Sequence, residues 1–215
     1  MSDNLINKVL RDEKKDIPIW FLRQAGRHIP EYFKIKRKET DFISFCLNEN
    51  LIIESTNLPL KYYDLDAAII FSDILMLPYG LGQKVEFIKN FGPKLEKIDL
   101  NEISKVDEID FMEKLYNVYR AIKKVSSNPL LSKKNTIGFV GAPWTLLVYM
   151  INQQSPKKKL KENFFKDDFL INRILEILEK FLKIHIKNQI DNGAQIIQIF
   201  DSWAGLLEEK DLPNF

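Results

Sequence analysis

Arginine is scarce in this chain, six of 32 basic residues, yet two of the six bracket the short stretch Arg23-Gln24-Ala25-Gly26-Arg27. A guanidinium is a planar fork of N–H donors that can grip a carboxylate through two parallel bonds, which a lysine ammonium cannot do. Two forks on either side of a glycine-containing loop therefore read as a carboxylate clamp. The same arginines would also serve as plain ion-pair partners of Glu31 or another surface acid, and spacing alone weighs the two readings equally.

Three other positions could do chemistry. Asp73 follows directly on the apolar run 67–71 and would present an acceptor to N–H groups or to a positive charge; a turn-capping role for the Ser72-Asp73 pair is the competing assignment. Ser202, in Asp201-Ser202-Trp203-Ala204-Gly205, lacks the Gly-x-Ser-x-Gly elbow of a serine nucleophile, so a hydrogen-bonding role fits it better. Tyr149 packs into the core with Trp144 or turns its hydroxyl to a ligand. His185 falls near the apolar face of a helical pattern and reads as structural. With His28 and His185 as the two histidines and Cys46 as the single cysteine, neither a zinc cluster nor an intrachain disulfide is expected. Metal ligands are none.

These residues need strands to place them. Four apolar runs, 17–22, 67–71, 136–140 and 196–200, each stop at polar or glycine residues and read as buried parallel strands. Between the last two, Ile171, Ile174, Leu175, Leu178 and Leu182 recur at helical spacing from Asp167-Asp168 to Asn192-Gly193, which predicts one long helix. Pro143 suits the first turn of another helix, with Tyr149 about two turns in. Residues 85–87, near several glycines, predict a short excursion off the main sheet. The β-then-α order fits an open doubly wound sheet or a barrel, and the missing Gly-x-Gly-x-x-Gly after the first strand weakens the nucleotide-binding sheet. A (β/α)8 barrel of the TIM type puts its working residues at the C-terminal ends of strands, where Arg23, Asp73 and Ser202 stand. The expected architecture is thus α/β, one domain over residues 1–215, with about the first half of such a barrel.

The bulk properties exclude other classes. A net charge of +2 carries no field suited to nucleic acid, and Lys157 to Lys161 reads as a solvated loop. The least polar segment, 138–151, is about 14 residues long and broken by Pro143, too short for a bilayer span. The N-terminus has no continuous apolar stretch of the kind an export signal needs. A reducing, cytoplasmic setting follows.

Together the motifs resemble a known family. Pro18-Ile19-Trp20-Phe21-Leu22-Arg23-Gln24-Ala25-Gly26-Arg27 with Pro30-Glu31-Tyr32, then 66–75, 138–146 and Phe200-Asp201-Ser202-Trp203-Ala204-Gly205, are similar to four ordered signatures of the uroporphyrinogen decarboxylases. The resemblance implies cofactor-free removal of four acetate carboxyl groups from uroporphyrinogen III to give coproporphyrinogen III, in the cytoplasm, by a homodimer when full length. It assigns Arg23 and Arg27 to substrate carboxylates and Arg23 also to proton delivery, for which an arginine pKa is unfavourably high. It assigns Asp73 to the pyrrole N–H groups, and Tyr149 and Ser202 to side-chain carboxylates. His28, Phe33 and Lys36 depart from the family pattern, and a histidine-bearing motif near the family's C-terminus has no counterpart among these 215 residues. A zinc- or corrinoid-dependent methyltransferase of the same fold, and an inactive tetrapyrrole-binding fragment, are the alternatives.

Overall fold

Three of the four apolar runs form strands; the first does not. In a computed structural model, residues 4–13, 16–22, 24–26, 28–156, 160, 164 and 166–209 are described. They divide into two compact units: Met1–Asp73, Leu115–Phe139 and Ile186–Gln198 in one, Ile74–Lys114, Val140–His185 and Ile199–Phe215 in the other.

The main sheet has the order β1 (Ala67–Ile69), β4 (Asn135–Gly141), β5 (Ile196–Phe200). β1 and β4 are parallel, with Ala67, Ala68 and Ile69 opposite Asn135, Thr136 and Ile137. Gln195 N–H donates to Thr136 O at 2.9 Å and Ala142 N–H to Phe200 O at 2.8 Å. Residue numbers rise in step on both chains, so β4 and β5 are parallel too. The excursion near residue 85 is a separate antiparallel hairpin, β2 (Val85–Ile88) with β3 (Gly92–Leu95).

The first unit packs helix on helix behind the sheet. In the helix Tyr116–Ser126, Val118, Ala121, Ile122 and Val125 lie at i, i+3, i+4 and i+7, one apolar stripe. That stripe is buried with Ile52 of the helix Glu49–Asn57 and with Ala68 and Ile70. Glu49 fastens the pair of helices at the rim, ion-paired with Arg120 Nε at 3.0 Å and with Lys124.

The run 17–22 is extended but makes no strand, and Ile17, Ile19, Phe21 and Leu22 are exposed rather than buried, Ile17 by 85%. The reason lies in its partners. Asp66 N–H donates to Ile19 O at 2.8 Å, but Ile19 N–H goes to the Asp66 carboxylate at 2.7 Å instead of to a backbone carbonyl. Beyond that point the β1 edge belongs to a side chain. Gln24, 2% exposed, donates from Nε2 to Ala67 O at 2.8 Å and accepts from Ile69 N–H through Oε1 at 3.2 Å. Its amide supplies the donor and acceptor that a neighbouring strand would have offered. Gln24→Leu keeps the size and removes both bonds, leaving two buried backbone groups unsatisfied at about 1–3 kcal/mol each. Urea unfolding should register a loss of at least 2 kcal/mol on that scale, and amide exchange at Ile69 should quicken; unchanged exchange would show that the edge is held by something else.

In the second unit, two of the helices expected from the sequence are found, the longer one running on past His185. Pro143–Asn152 begins with Pro143 at its first turn, as expected, and ends at Gln153 in the left-handed region, φ 62°. Gln153 O accepts from Leu95 N–H at 2.7 Å, and the buried Gln83 amide donates to Glu96 O at 2.8 Å and Met150 O at 3.1 Å. The hairpin is thereby tied to the end of that helix. The long helix runs Asp168–Asp191, with the Asp167 carboxylate accepting from Leu170 N–H at 2.9 Å as its cap.

His185 behaves as the structural residue expected. It is 5% exposed, meets Phe111 edge to face at 6.1 Å, and burial drives its pKa down to about 4. Because the folded pKa lies below the unfolded value of about 6.5, the unfolded chain binds the proton first as pH falls. Stability is full above about pH 6.5 and is lost between there and about pH 4, by an amount on the order of 3 kcal/mol. Urea midpoints measured from pH 7.5 to 4 should show this slope in the wild type and not in His185→Phe. Equal slopes in both proteins would assign the acid sensitivity elsewhere.

Candidate functional site

Asp73 closes a segment of the first unit whose backbone is steered step by step. The ladder with β4 continues one residue past β1, where Ile70 N–H donates to Ile137 O at 2.9 Å. At Phe71 it stops, because Phe71 N–H donates to the Thr56 hydroxyl at 2.9 Å, and that hydroxyl donates to Ile52 O at 2.7 Å. The Phe71 ring settles among Tyr32, Phe42 and Phe45 at centroid distances of 5.9, 6.2 and 5.1 Å. The chain then leaves the strand and delivers a half-buried Asp73. Its charge reaches Cys46: burial first, then the carboxylates of Asp73 and Asp41, push that thiol well above its ordinary pKa. A buried thiol so held is neutral and serves as core.

Arg23 and Arg27 lie outside the described residues, as does most of the stretch Lys157 to Lys161. Glu31, weighed as a partner for the arginines, is engaged by the Tyr62 hydroxyl, the largest cause of its lowered pKa.

The second unit brings Tyr149 and the Ser202-bearing turn together. Asp201, Ser202 and Trp203 follow β5, and Ser202 is exposed. The first turn of the helix Pro143–Asn152 holds them. Trp144 Nε1–H donates to Trp203 O at 2.8 Å, the Thr145 hydroxyl donates to Asp201 Oδ1 at 2.6 Å, and Trp203 N–H donates to Thr145 Oγ1 at 3.0 Å. Gly141, just before this helix, leaves room for Leu146 and Ile74: a Cβ there would stand 2.8 Å from Leu146 Cδ2, closer than side chains tolerate, and 3.2 Å from Ile74 Cβ. Tyr149 is half-buried and its ring meets Trp203 edge to face at 5.9 Å. The Trp203 indole N–H is buried without an acceptor among the described residues, which leaves one donor of this group uncommitted.

Sequence reasoning missed Thr145 and two of the glutamines whose side chains act on strands, Gln24 and Gln189. Gln189 had a signal, since it follows His185 by four residues on the buried stripe of the long helix, where a polar side chain needs partners. Thr145 had none beyond lying two residues inside a helix. An open hollow of about 520 Å³ in the first unit, lined by Ser44, Asn48, Glu49, Asn117, Arg120 and Lys124, includes no expected site residue. Among the described residues no group of three or more His, Cys, Asp and Glu side chains could hold a metal ion, and no helix is long and apolar enough to cross a membrane.

Parallel strands alternating with helices define an α/β protein of the strand-then-helix repeating type. The family model described as Uroporphyrinogen decarboxylase (URO-D) matches residues 1–215. The chain belongs to the uroporphyrinogen decarboxylase family. It is 40% identical over 213 residues to a uroporphyrinogen decarboxylase of Rickettsia felis, covering 98% of this chain and 61% of that protein. The Rickettsia massiliae protein of the same name is 39% identical, with the same coverage. The chain therefore spans about three-fifths of the length of these curated relatives. A solved methyltransferase from Methanosarcina mazei superposes with a TM-score of 0.74 at 18% identity, covering 98% of this chain and 62% of that one. That likeness is one of fold. The fold class expected from the sequence stands: α/β with a parallel sheet, as in part of a (β/α)8 barrel.

Proposed function

We propose that residues 1–215 supply the carboxylate-binding and pyrrole-binding groups of a uroporphyrinogen decarboxylase. The observation that carries this reading is the family match over the whole chain, joined to strand β5, which stops directly before Asp201-Ser202, and to β1, which ends two residues short of Ser72-Asp73. Arg23 and Arg27 bind acetate carboxylates as bidentate forks, Tyr149 and Ser202 hydrogen-bond further carboxylates, and Asp73 accepts from the pyrrole N–H groups.

The chemistry asks for this arrangement. A pyrrole ring carbon takes a proton and the ring becomes cationic. The bond from the acetate methylene to its carboxylate then breaks, CO₂ leaves, and the electron pair flows into the ring. A proton taken up at the methylene completes a methyl group, and the ring proton is lost. Each acetate plus one proton yields one methyl and one CO₂, and the substrate is its own electron sink, so no cofactor enters. Asp73 stabilises the cation as it forms, a preorganised charge of the kind that lowers barriers most. Arg23 anchors substrate and shares in delivering the proton. The setting is cytoplasmic, supported by a free, buried Cys46, and the full-length assembly is a homodimer.

The reading is tested by titrating the 215-residue protein anaerobically with uroporphyrinogen III in a calorimeter and following ¹³CO₂ from carboxyl-labelled substrate. Saturable binding that prefers uroporphyrinogen to coproporphyrinogen, which has lost the four acetates, is expected. Absence of binding, or equal binding of both, would sink it.

A further inference from the structure

We propose that Thr145 is the positioning residue for Ser202. One hydroxyl spans the serine: Thr145 Oγ1 donates to Asp201 Oδ1 at 2.6 Å and accepts from Trp203 N–H at 3.0 Å, so the residues on both sides of Ser202 are bonded to the same oxygen. Two more bonds brace the ends. Ala142 N–H donates to Phe200 O at 2.8 Å before the turn, and Trp144 Nε1–H donates to Trp203 O at 2.8 Å after it.

Thr145 is wholly buried, at 0% exposure, and its hydroxyl is spent on the turn, so it touches no ligand and acts through its neighbour. Its residue type suits this task. A β-branched side chain is stiff at χ1, which fixes the direction of the hydroxyl. A helical threonine hydroxyl often bonds back to a carbonyl of its own helix; this one reaches out to another segment and uses its donor and acceptor capacity together. Ser202, exposed between two clamped residues, is thus held in one orientation before any ligand arrives, and the ordering cost of binding falls accordingly.

The inference rests on the proposed role of Ser202 in binding substrate carboxylates, and the experiment separates the two. Thr145→Val is isosteric and removes both bonds; Thr145→Ser keeps the hydroxyl. Amide exchange at Trp203 reads the clasp without any ligand, and calorimetric titration with anaerobic uroporphyrinogen III reads its consequence. Thr145→Val should speed exchange at Trp203 and weaken binding about tenfold, the size of one good hydrogen bond. Thr145→Ser should restore both. Ser202→Ala should weaken binding by a similar factor, and the double variant Thr145→Val/Ser202→Ala should bind no worse than Ser202→Ala alone, since a residue acting through Ser202 has nothing left to orient. Should Thr145→Val not fold, Asp201→Asn loosens the same clasp from the exposed side and should weaken binding about threefold, on the scale of a weakened hydrogen bond. Losses that multiply in the double variant, or faster exchange with unchanged binding, overturn the positioning role while leaving the decarboxylase reading intact. If the wild type does not bind uroporphyrinogen at all, that reading fails and the role of Thr145 goes with it.

Discussion

Asp73→Asn is expected to slow CO₂ release by about a thousandfold while leaving the melting curve close to wild type. The size follows from charge. A carboxylate roughly 4 Å from a cationic ring, at an effective dielectric of about 20, is worth about 4 kcal/mol, and each 1.36 kcal/mol is about tenfold in rate. Asparagine keeps the shape and one carbonyl acceptor but turns an N–H₂ group toward pyrrole donors and offers no charge to the cation. The Phe71–Thr56–Ile52 bonds that steer the chain into this residue involve neither Asp73 oxygen, so they survive the substitution. Labelled CO₂ release under saturating substrate, with circular dichroism melting alongside, is the measurement. Near-normal release would remove Asp73 from the reaction and turn attention to the arginines.

The second large effect is structural and sits at Gly138. A Cβ at this position would stand 2.3 Å from Gln189 Oε1, 3.0 Å from Ile197 Cδ1 and 3.1 Å from Ala194 Cβ. Gln189 is the far end of a side chain and so could swing aside, but it is committed: Oε1 accepts from Phe139 N–H at 2.9 Å and Nε2 donates to Phe139 O at 3.0 Å. Making room for a methyl therefore forfeits both bonds to a β4 residue, at about 1–3 kcal/mol for each buried group left unpaired, with crowding against Ile197 and Ala194 added. Gly138→Ala should destabilise by about 3–5 kcal/mol on those magnitudes, read as a fall in urea midpoint at constant slope. Combining it with Gln189→Ala should cost much less than the sum of the two. A Gly138→Ala protein within about 0.5 kcal/mol of wild type, the span of an ordinary surface change, would show that the neighbours repack at no cost.

What the sequence made legible was decided by pattern length. The 24-residue helix carried enough turns for its apolar spacing and its Asp167 cap to be read nearly to the residue, and Pro143 marked the next helix by the hydrogen bond it cannot make. The strands at 136–140 and 196–200 were legible as continuous apolar runs. The run at 17–22 looks the same by that criterion, yet it is exposed and unladdered, because a buried strand is defined by what lies beside and above it and an apolar run records only its own half of that contract. The strand expected over 67–71 shortens to Ala67–Ile69 for a similar reason: Thr56, eleven residues upstream of Ala67, takes the amide of Phe71. Of the candidate positions, the placement of Ser202 just after a strand and of Tyr149 on a helix was legible. Thr145, Gln24 and Gln189 were not, since their parts are played through bonds to segments far along the chain.

Gln24 has a consequence of another kind. A sheet edge completed by an amide side chain is closed by a stopper on a hinge, not welded by a ladder. Turning that amide away would uncover Ala67 O and Ile69 N–H together, spaced as an arriving backbone needs them. A chain joining β1 there would first have to displace Gln24 and break both of its bonds, so the edge is guarded against casual strand pairing without being paired itself.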